Sequence, residues 1–380
     1  MRILCVSTYF LPYISGLTVY PYRLFKYLIT KDYRVQVITF KHLKNLHSKE
    51  TINGVSIERI NHWFKISKGF FALFFVFSLL KYIRKTDVMI INQPSVEGII
   101  AVVLARILKK KVVSLFHCRL QLGNSLFQKV ISSVVNTVVF LELLLSDTIV
   151  ATSHEYVKEV MGDAFIGKIV IIPPPIMTYP VSSTEHARYR KKKARNIWVG
   201  FCGRIAREKG IEYLIAAYEK IRTKIPSTTL IFAGPSGDEV AGEKKYSQKI
   251  KKLLKEKNIP HYFFGILSDD EMGAFYKTLD CLVLPSTNST EAFGMVQAEA
   301  MVQGTPVIAT DLPGVRVAIK LTGMGVVVPP KNTHKLAQAI IHLITYRSQY
   351  ANNQLVNEAK KIFDSQISYT SFAQIFSKKI

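Results

Sequence analysis

Cysteine is scarce in this 380-residue chain. The four present, Cys5, Cys118, Cys202 and Cys281, lie far apart in apolar, strand-like runs with no CxxC spacing. That excludes a disulfide framework and a zinc knuckle, and it fits reduced cytosolic thiols. Metal-ligand spacing is absent too. The acidic pair Asp269-Asp270 comes nearest, but Ser268 and Glu271 frame it as a capping box, and acids in a first helical turn need no metal. Acids are in short supply, 27 against 51 Lys and Arg, which leaves a net charge of +24 and a pI near 9.8. Such a chain calls for an anionic partner or surface. The basic residues form no nucleic-acid-binding signature, so no nucleic acid is expected, and an anionic membrane face serves instead.

Long apolar runs are also missing. Gly69–Leu80 is apolar over twelve residues, short of the roughly 20 that cross a bilayer. Its basic flanks, Lys65, Lys68, Lys81, Arg84 and Lys85, suit an interfacial helix whose aromatic face dips into anionic headgroups; the alternative is a helix buried in an α/β layer. Leu126–Leu145 is longer but carries Lys129, Asn136 and Glu142, and reads as a packed helix that touches a membrane at most. The opening MRILCVSTYF reads as a first strand, too quickly interrupted for a signal peptide. Peripheral attachment is therefore the expectation.

What the chain has in quantity is apolar residue, 48%, with 21% charged. That is a globular composition, and the length suffices for two domains with separate cores. Short β-branched runs alternate with helical periodicity nearly throughout, as in βαβ units around parallel sheets. Strands are expected at RILCVS, RVQVITF, VSIERI, DVMIIN, KVVSLFH, DTIVATS and KIVIIP, then at IWVGFCG, TTLIFAG, CLVLPS, TPVIAT and GVVVPP. The proline-rich, then basic, stretch between the two sets reads as a linker. The expected organisation is residues 1–175 as a first doubly wound domain, 176–196 as linker, 197–355 as a second, and 356–380 as a helical segment that packs back on the first. Two such domains face each other across a cleft, where ligands bind beyond the carboxyl ends of the strands.

The residues with chemical potential cluster at strand ends of the second half. In GRIAREKG, Gly203 and Gly210 permit tight turning, while Arg204, Arg207 and Lys209 put charge at a strand–loop–helix junction. A guanidinium and an ammonium there suit a diphosphate; solvated loop charges are the alternative. Gly234 opens the turn GPSG, whose amides suit phosphate. In STEAFGMVQAE, Glu291 and Glu299 stand eight residues apart. A helix starting near Phe293 puts Glu299 about two turns in, with Glu291 in the loop at its mouth. The pair then grips one elongated polar ligand, or else Glu291 complements the helix dipole and Glu299 is a solvated face.

GRIAREKG, E-x-F-G-x-x-x-x-E and GTPVIATDLPG, in that order, resemble the family-four retaining glycosyltransferases. The resemblance implies the GT-B fold, two Rossmann-like doubly wound domains facing across a cleft. It implies that Glu299 holds the ribose hydroxyls of a nucleoside diphosphate sugar and that Glu291 reaches the donor sugar. Arg204 and Lys209 then bind the diphosphate, and amides around Phe293, Gly294 and Met295 complete its nest. Gly203 and Gly234 join the donor site, and no metal or other cofactor is implied. In YFLPYISGLTVY, Ser15-Gly16 stands where the family's glycine pair does, which makes Gly16 the contact. His117, at the end of VVSLFH, matches a histidine that points at the transferred sugar.

The function so implied is transfer of a hexosyl unit from a UDP- or GDP-sugar, with retention. The charge and the apolar helices of the first half suggest a lipid-linked or glycan acceptor, met in the cytoplasm at the inner membrane face. Two other classes fit parts of the sequence: a GT-B-fold nucleotide-sugar epimerase, and a polyanion-binding protein without activity.

Overall fold

A computed structural model describes residues 1–66, 69–71, 74–123 and 125–377, and the chain divides into two compact units. The first comprises Met1–Pro175 with Gln366–Ile380; the second is Ile176–Ser365.

In the first unit the chain runs β1 (Arg2–Ser7), α1 (Gly16–Ile29), β2 (Arg34–Phe40), β3 (Lys49–Ile52), β4 (Val55–Ile60), β5 (Phe64–Ile66), β6 (Gly69–Phe71) and α2 (Phe74–Ile83). It continues through β7 (Val88–Gln93), α3 (Gly98–Ile107), β8 (Lys111–Phe116), α4 (Leu126–Leu145), β9 (Thr148–Ala151), α5 (His154–Met161) and β10 (Ile169–Ile171). Eight strands form one sheet in the order β10-β9-β8-β7-β1-β2-β4-β3. All neighbours are parallel except β3, which runs antiparallel to β4 at the edge. β7 is buried along its whole length, as a strand covered on both faces must be.

In the second unit the elements are α6 (Ser183–Lys193), β11 (Ile197–Cys202), α7 (Ile211–Lys224), β12 (Thr228–Ala233), α8 (Lys244–Glu256), β13 (His261–Gly265), α9 (Asp269–Thr278) and β14 (Cys281–Leu284). Then come α10 (Met295–Val302), β15 (Val307–Thr310), α11 (Arg316–Thr322), β16 (Gly325–Val328), α12 (Thr333–Thr345), α13 (Arg347–Tyr350) and α14 (Asn353–Ile362). Its six strands are parallel, in the order β13-β12-β11-β14-β15-β16. Both sheets are doubly wound: strand order reverses between β1 and β7 in the first and between β11 and β14 in the second.

Local sequence sets many of the ends. Ser268 accepts the Glu271 amide while Glu271 accepts the Ser268 amide, so the acidic turn is a capping box. α7 buries Ile211, Leu214, Ile215 and Tyr218, the face its periodicity marks.

Three expectations are corrected. Gly69–Leu80 is not one helix: Gly69–Phe71 pairs with β5, and the helix begins at Phe74. Phe75, Leu79 and Ile83 of α2 sit in the core, and Ser78 and Tyr82 donate to Glu58 of β4. The side of α2 that carries Phe75 is therefore occupied by protein, while Phe77 on another side is exposed; Lys68, Ala72 and Leu73 of that reading lie outside the described residues. The stretch 176–196 is not a linker. Ser182 caps α6, which packs on α9, where Tyr189 stacks on Phe264 at 5.1 Å. Along 356–380, the chain leaves the second unit only after Ser365. α15 (Ser365–Ser377) then lies on the first, with Tyr369 stacked on Tyr27 at 4.1 Å and Ser368 bound to the Pro173 carbonyl. Strands β3, β5, β6 and β13 were not anticipated.

α4 is also not a fully packed helix. Its inner face buries Val139, Glu142 and Leu143, but most of its length is exposed. Gln93 donates to Glu142 Oε2 at 2.8 Å, while Glu142 Oε1, Gln93 Oε1 and Ser95 Oγ are buried without a hydrogen bond. Burial, with Glu97 nearby, pushes the Glu142 carboxyl up to about 8. Burial thus favours the neutral, protonated carboxyl.

Two outcomes follow from this packing. A Cβ on Gly273 would lie 1.9 Å from the Pro180 carbonyl oxygen. Gly273→Ala, which stabilises an isolated helix by up to about 1 kcal/mol, is expected here to destabilise the protein by about 2 kcal/mol or more in denaturant unfolding. Because the folded-state value of Glu142 is raised, its contribution is complete below the ordinary glutamate range and is lost as pH rises toward about 8. Glu142→Gln, with a neutral amide donor in place, is expected to flatten the fall in unfolding free energy over that window.

Candidate active site

The reversal of strand order in the second unit leaves the loops after β11 and β14 side by side, and they carry most of the residues singled out. They are laced together. The Thr287 amide donates to the Glu208 carbonyl at 2.9 Å. Gly210, at φ +62°, lies so near Pro285 that a Cβ would stand 2.3 Å from that carbonyl oxygen. Lys209 forms an ion pair with Glu291, and both side chains are about 15% exposed. Arg204 pairs with Glu208 at 2.8 Å.

A third strand end completes the frame. Gly234, after β12, packs against Gly203, after β11, and a Cβ on Gly234 would lie 2.3 Å from the Gly203 carbonyl oxygen. Both have positive φ, so Gly234 requires glycine for its backbone and for its space, and Gly203 for its backbone alone. The Gly203 amide donates to Ala233 and the Ile205 amide to Pro235, which holds Arg204 between two fixed points.

α10 begins later than its sequence suggests. Gly294 caps it in the left-handed region, φ +72°, so Met295 and not Phe293 opens the helix. Phe293 is buried, and Gln297, also buried, donates to the Phe293 and Val315 carbonyls and pins the turn. Phe293, Gly294 and Met295 thus stand at the positive end of a helix. Glu299 is the fifth residue of α10, just over one turn in. It is 3% exposed and accepts a hydrogen bond from Tyr276 Oη at 2.9 Å, so the solvated-face reading fails. The Cys202 thiol shares that hydroxyl at 3.5 Å, and burial pushes it up to about 12.

The first unit repeats the device. After β1, Thr8 donates to Glu97 Oε1, beyond β7, at 2.6 Å. At the strand ends Asn92 donates to Ser7 Oγ and to the Leu17 carbonyl, each at 2.8 Å. A carbonyl only accepts, so the Asn92 amide has one orientation, and its Oδ1 faces His117 Nε2 at 2.6 Å. Burial pushes the imidazole down to about 3. His117 is therefore neutral, with its proton on Nε2 and Nδ1 left as an acceptor, and the Tyr20 ring stands edge-on to it at 5.1 Å. Gly16 opens α1 behind Ser15, one residue from the Leu17 carbonyl that Asn92 holds.

The structure thus gathers Gly203, Arg204, Lys209, Gly234, Glu291, Phe293, Gly294, Met295 and Glu299 in the second unit, and Gly16 and His117 in the first. Asn92, Tyr276 and Gln297 were missed; each acts on a distant or backbone partner that no local pattern reveals. Among the described residues no group of three His, Cys, Asp or Glu side chains is placed to hold a metal ion.

The fold is that of the GT-B glycosyltransferases. The Anabaena protein HepE, solved with UDP and glucose, superposes with a TM-score of 0.80 over 100% of both chains at 18% identity. Residues 182–362 match the family described as "Glycosyl transferases group 1", and residues 14–178 match "Glycosyltransferase Family 4". The chain belongs to the family-four glycosyltransferases. An uncharacterized glycosyltransferase of Methanocaldococcus jannaschii is 32% identical over 46% of this chain and 42% of its own. The lipopolysaccharide 1,2-N-acetylglucosaminetransferase of Salmonella typhimurium is 29% identical over 47% of each. The chain spans less than half the length of either relative.

The His117 geometry has a direct spectroscopic consequence. Nitrogen-15 NMR of the imidazole is expected to show the Nε2–H tautomer with no titration between about pH 5 and 8, the range in which an ordinary histidine ionises. Titration near 6.5 would contradict the arrangement.

Proposed function

We propose that this protein transfers a hexosyl unit from a UDP- or GDP-sugar to a lipid-linked acceptor, with retention at the anomeric carbon. The observation that carries the reading is the lacing at the second unit's strand reversal. Two cations, Arg204 and Lys209, are fixed there beside the positive end of α10, each held by a carboxylate that diphosphate oxygens would replace. Groups fixed before the reaction stabilise charge as it develops on the leaving diphosphate without reorganising. They supply that charge from the protein, so the proposed reaction is metal-independent.

In this reading Glu299, held by Tyr276, binds the ribose hydroxyls and Glu291 reaches the donor sugar. The bond from the anomeric carbon to the diphosphate breaks, an acceptor hydroxyl bonds to that carbon from the same face, and its proton passes to the departing diphosphate. No carboxylate in the motif is needed as a nucleophile. His117, neutral and accepting at Nδ1, faces the transferred sugar as a hydrogen-bond acceptor and not as an acid. The first unit takes the acceptor, and a membrane glycolipid is favoured by the charge of the chain and by the lipopolysaccharide named for the Salmonella relative. Peripheral attachment at the cytoplasmic face follows from such an acceptor.

The test is release of free nucleoside diphosphate from a panel of UDP- and GDP-sugars, with and without membrane lipid extract. Lipid-dependent release from one donor is expected. Glu291→Gln, which keeps the shape of the site, is expected to lower kcat about 10²-fold or more, and Glu299→Gln to raise KM for the donor. No release from any donor by folded protein would overturn the reading. Interconversion of the sugar without an acceptor would make the protein an epimerase.

A further inference from the structure

α3 and α4 pack on each other and both turn apolar side chains to solvent. Leu126, Val130, Val134, Leu141 and Leu144 of α4 are all exposed. At 3.6 residues per turn they fall within an arc of about 80° that runs about 27 Å along the helix. Leu126 is 80% exposed, and Ile107, at the end of α3, is 69% exposed. A stripe of this length on one helix, extended by its neighbour, is more than the scattered apolar residues of an ordinary surface.

Charge decides what covers it. α3 contains no acid, and the one acid of α4, Glu142, is wholly buried. Cations stand at both ends of the stripe: Lys129 is exposed near the start of α4, and Lys168 donates to the Leu144 carbonyl at its close. The first unit holds 24 Lys and Arg against 10 Asp and Glu. A second copy of the chain would set like charge against like. An apolar stripe edged by cations and cleared of acids matches an anionic lipid surface, with side chains at the acyl boundary and ammonium groups among phosphates.

We propose that the α3–α4 face docks on an anionic lipid bilayer, with α4 lying in the interface and not crossing it. The assignment replaces Gly69–Leu80 as the membrane-facing element. It deepens the functional reading above, which supplies its purpose, but the surface itself does not depend on that reading.

The experiment is co-sedimentation of the full chain with phosphatidylcholine vesicles, with and without phosphatidylglycerol. Binding is expected to the anionic vesicles, weakening with salt. Leu126→Ser/Val130→Ser/Val134→Ser, all at exposed positions, is expected to weaken it about tenfold or more, whereas Phe77→Ser/Leu80→Ser on α2 is expected to bind as the unsubstituted protein does. Equal binding by the triple variant, or none by the unsubstituted chain, would overturn the proposal. A dimer that the triple variant dissociates, with vesicle binding unchanged, would assign the face to a second copy and overturn the lipid. Detergent-solubilised acceptor separates the two readings. Turnover there is expected to survive the triple substitution, and its absence from the unsubstituted protein would count against the transferase reading alone.

Discussion

The feature on which the site depends is the reversal of strand order in each parallel sheet. At β11 and β14 the chain departs in opposite directions, so their following loops meet with no helix between them. Something must fill and fix that gap. In the second unit it is the Lys209–Glu291 ion pair, the Thr287–Glu208 hydrogen bond and the close approach of Gly210 to Pro285. In the first unit, Thr8 with Glu97 and Asn92 with Ser7 span the equivalent gap between β1 and β7. The same topology has drawn the same solution from unrelated residues.

This constraint explains why the charged residues sit where they do. Arg204 and Lys209 are not loose loop charges. Backbone hydrogen bonds to Ala233 and Pro235 fix the start of their loop, and Gly210 fixes its end. A cation held this way loses little freedom when an anion arrives, which is the condition for it to favour a transition state over free substrate. The carboxylates that pair with these cations keep the site neutral in the absence of a donor.

Much of this was legible in the sequence because the signals are local. Strand–loop–helix order, glycines at loop ends, the Ser268 capping box and the spacing of Glu291 and Glu299 all lie within a few residues of what they control. What escaped depends on partners far along the chain. The burial of Glu299 needs Tyr276, and the tautomer of His117 needs Asn92 and, through it, Leu17. α10 starts two residues later than its composition suggests because Gly294 takes a left-handed turn under Leu284 and Gln297. α2 and α4 were misjudged for a related reason. Both are apolar, and only the tertiary structure shows that α2 packs Phe75, Leu79 and Ile83 into the core while α4 leaves an apolar stripe exposed.

The central claim is that the laced loops of the second unit hold the diphosphate of a nucleotide. Hydrogen–deuterium exchange with and without added UDP or GDP tests it most directly. The account predicts that amides in 203–210 and 286–297 gain protection with one of the two nucleotides, and that Lys209→Ala removes the gain while the native exchange pattern of the sheet persists. Protection confined to the first unit, or none in either segment at saturating nucleotide, would contradict it.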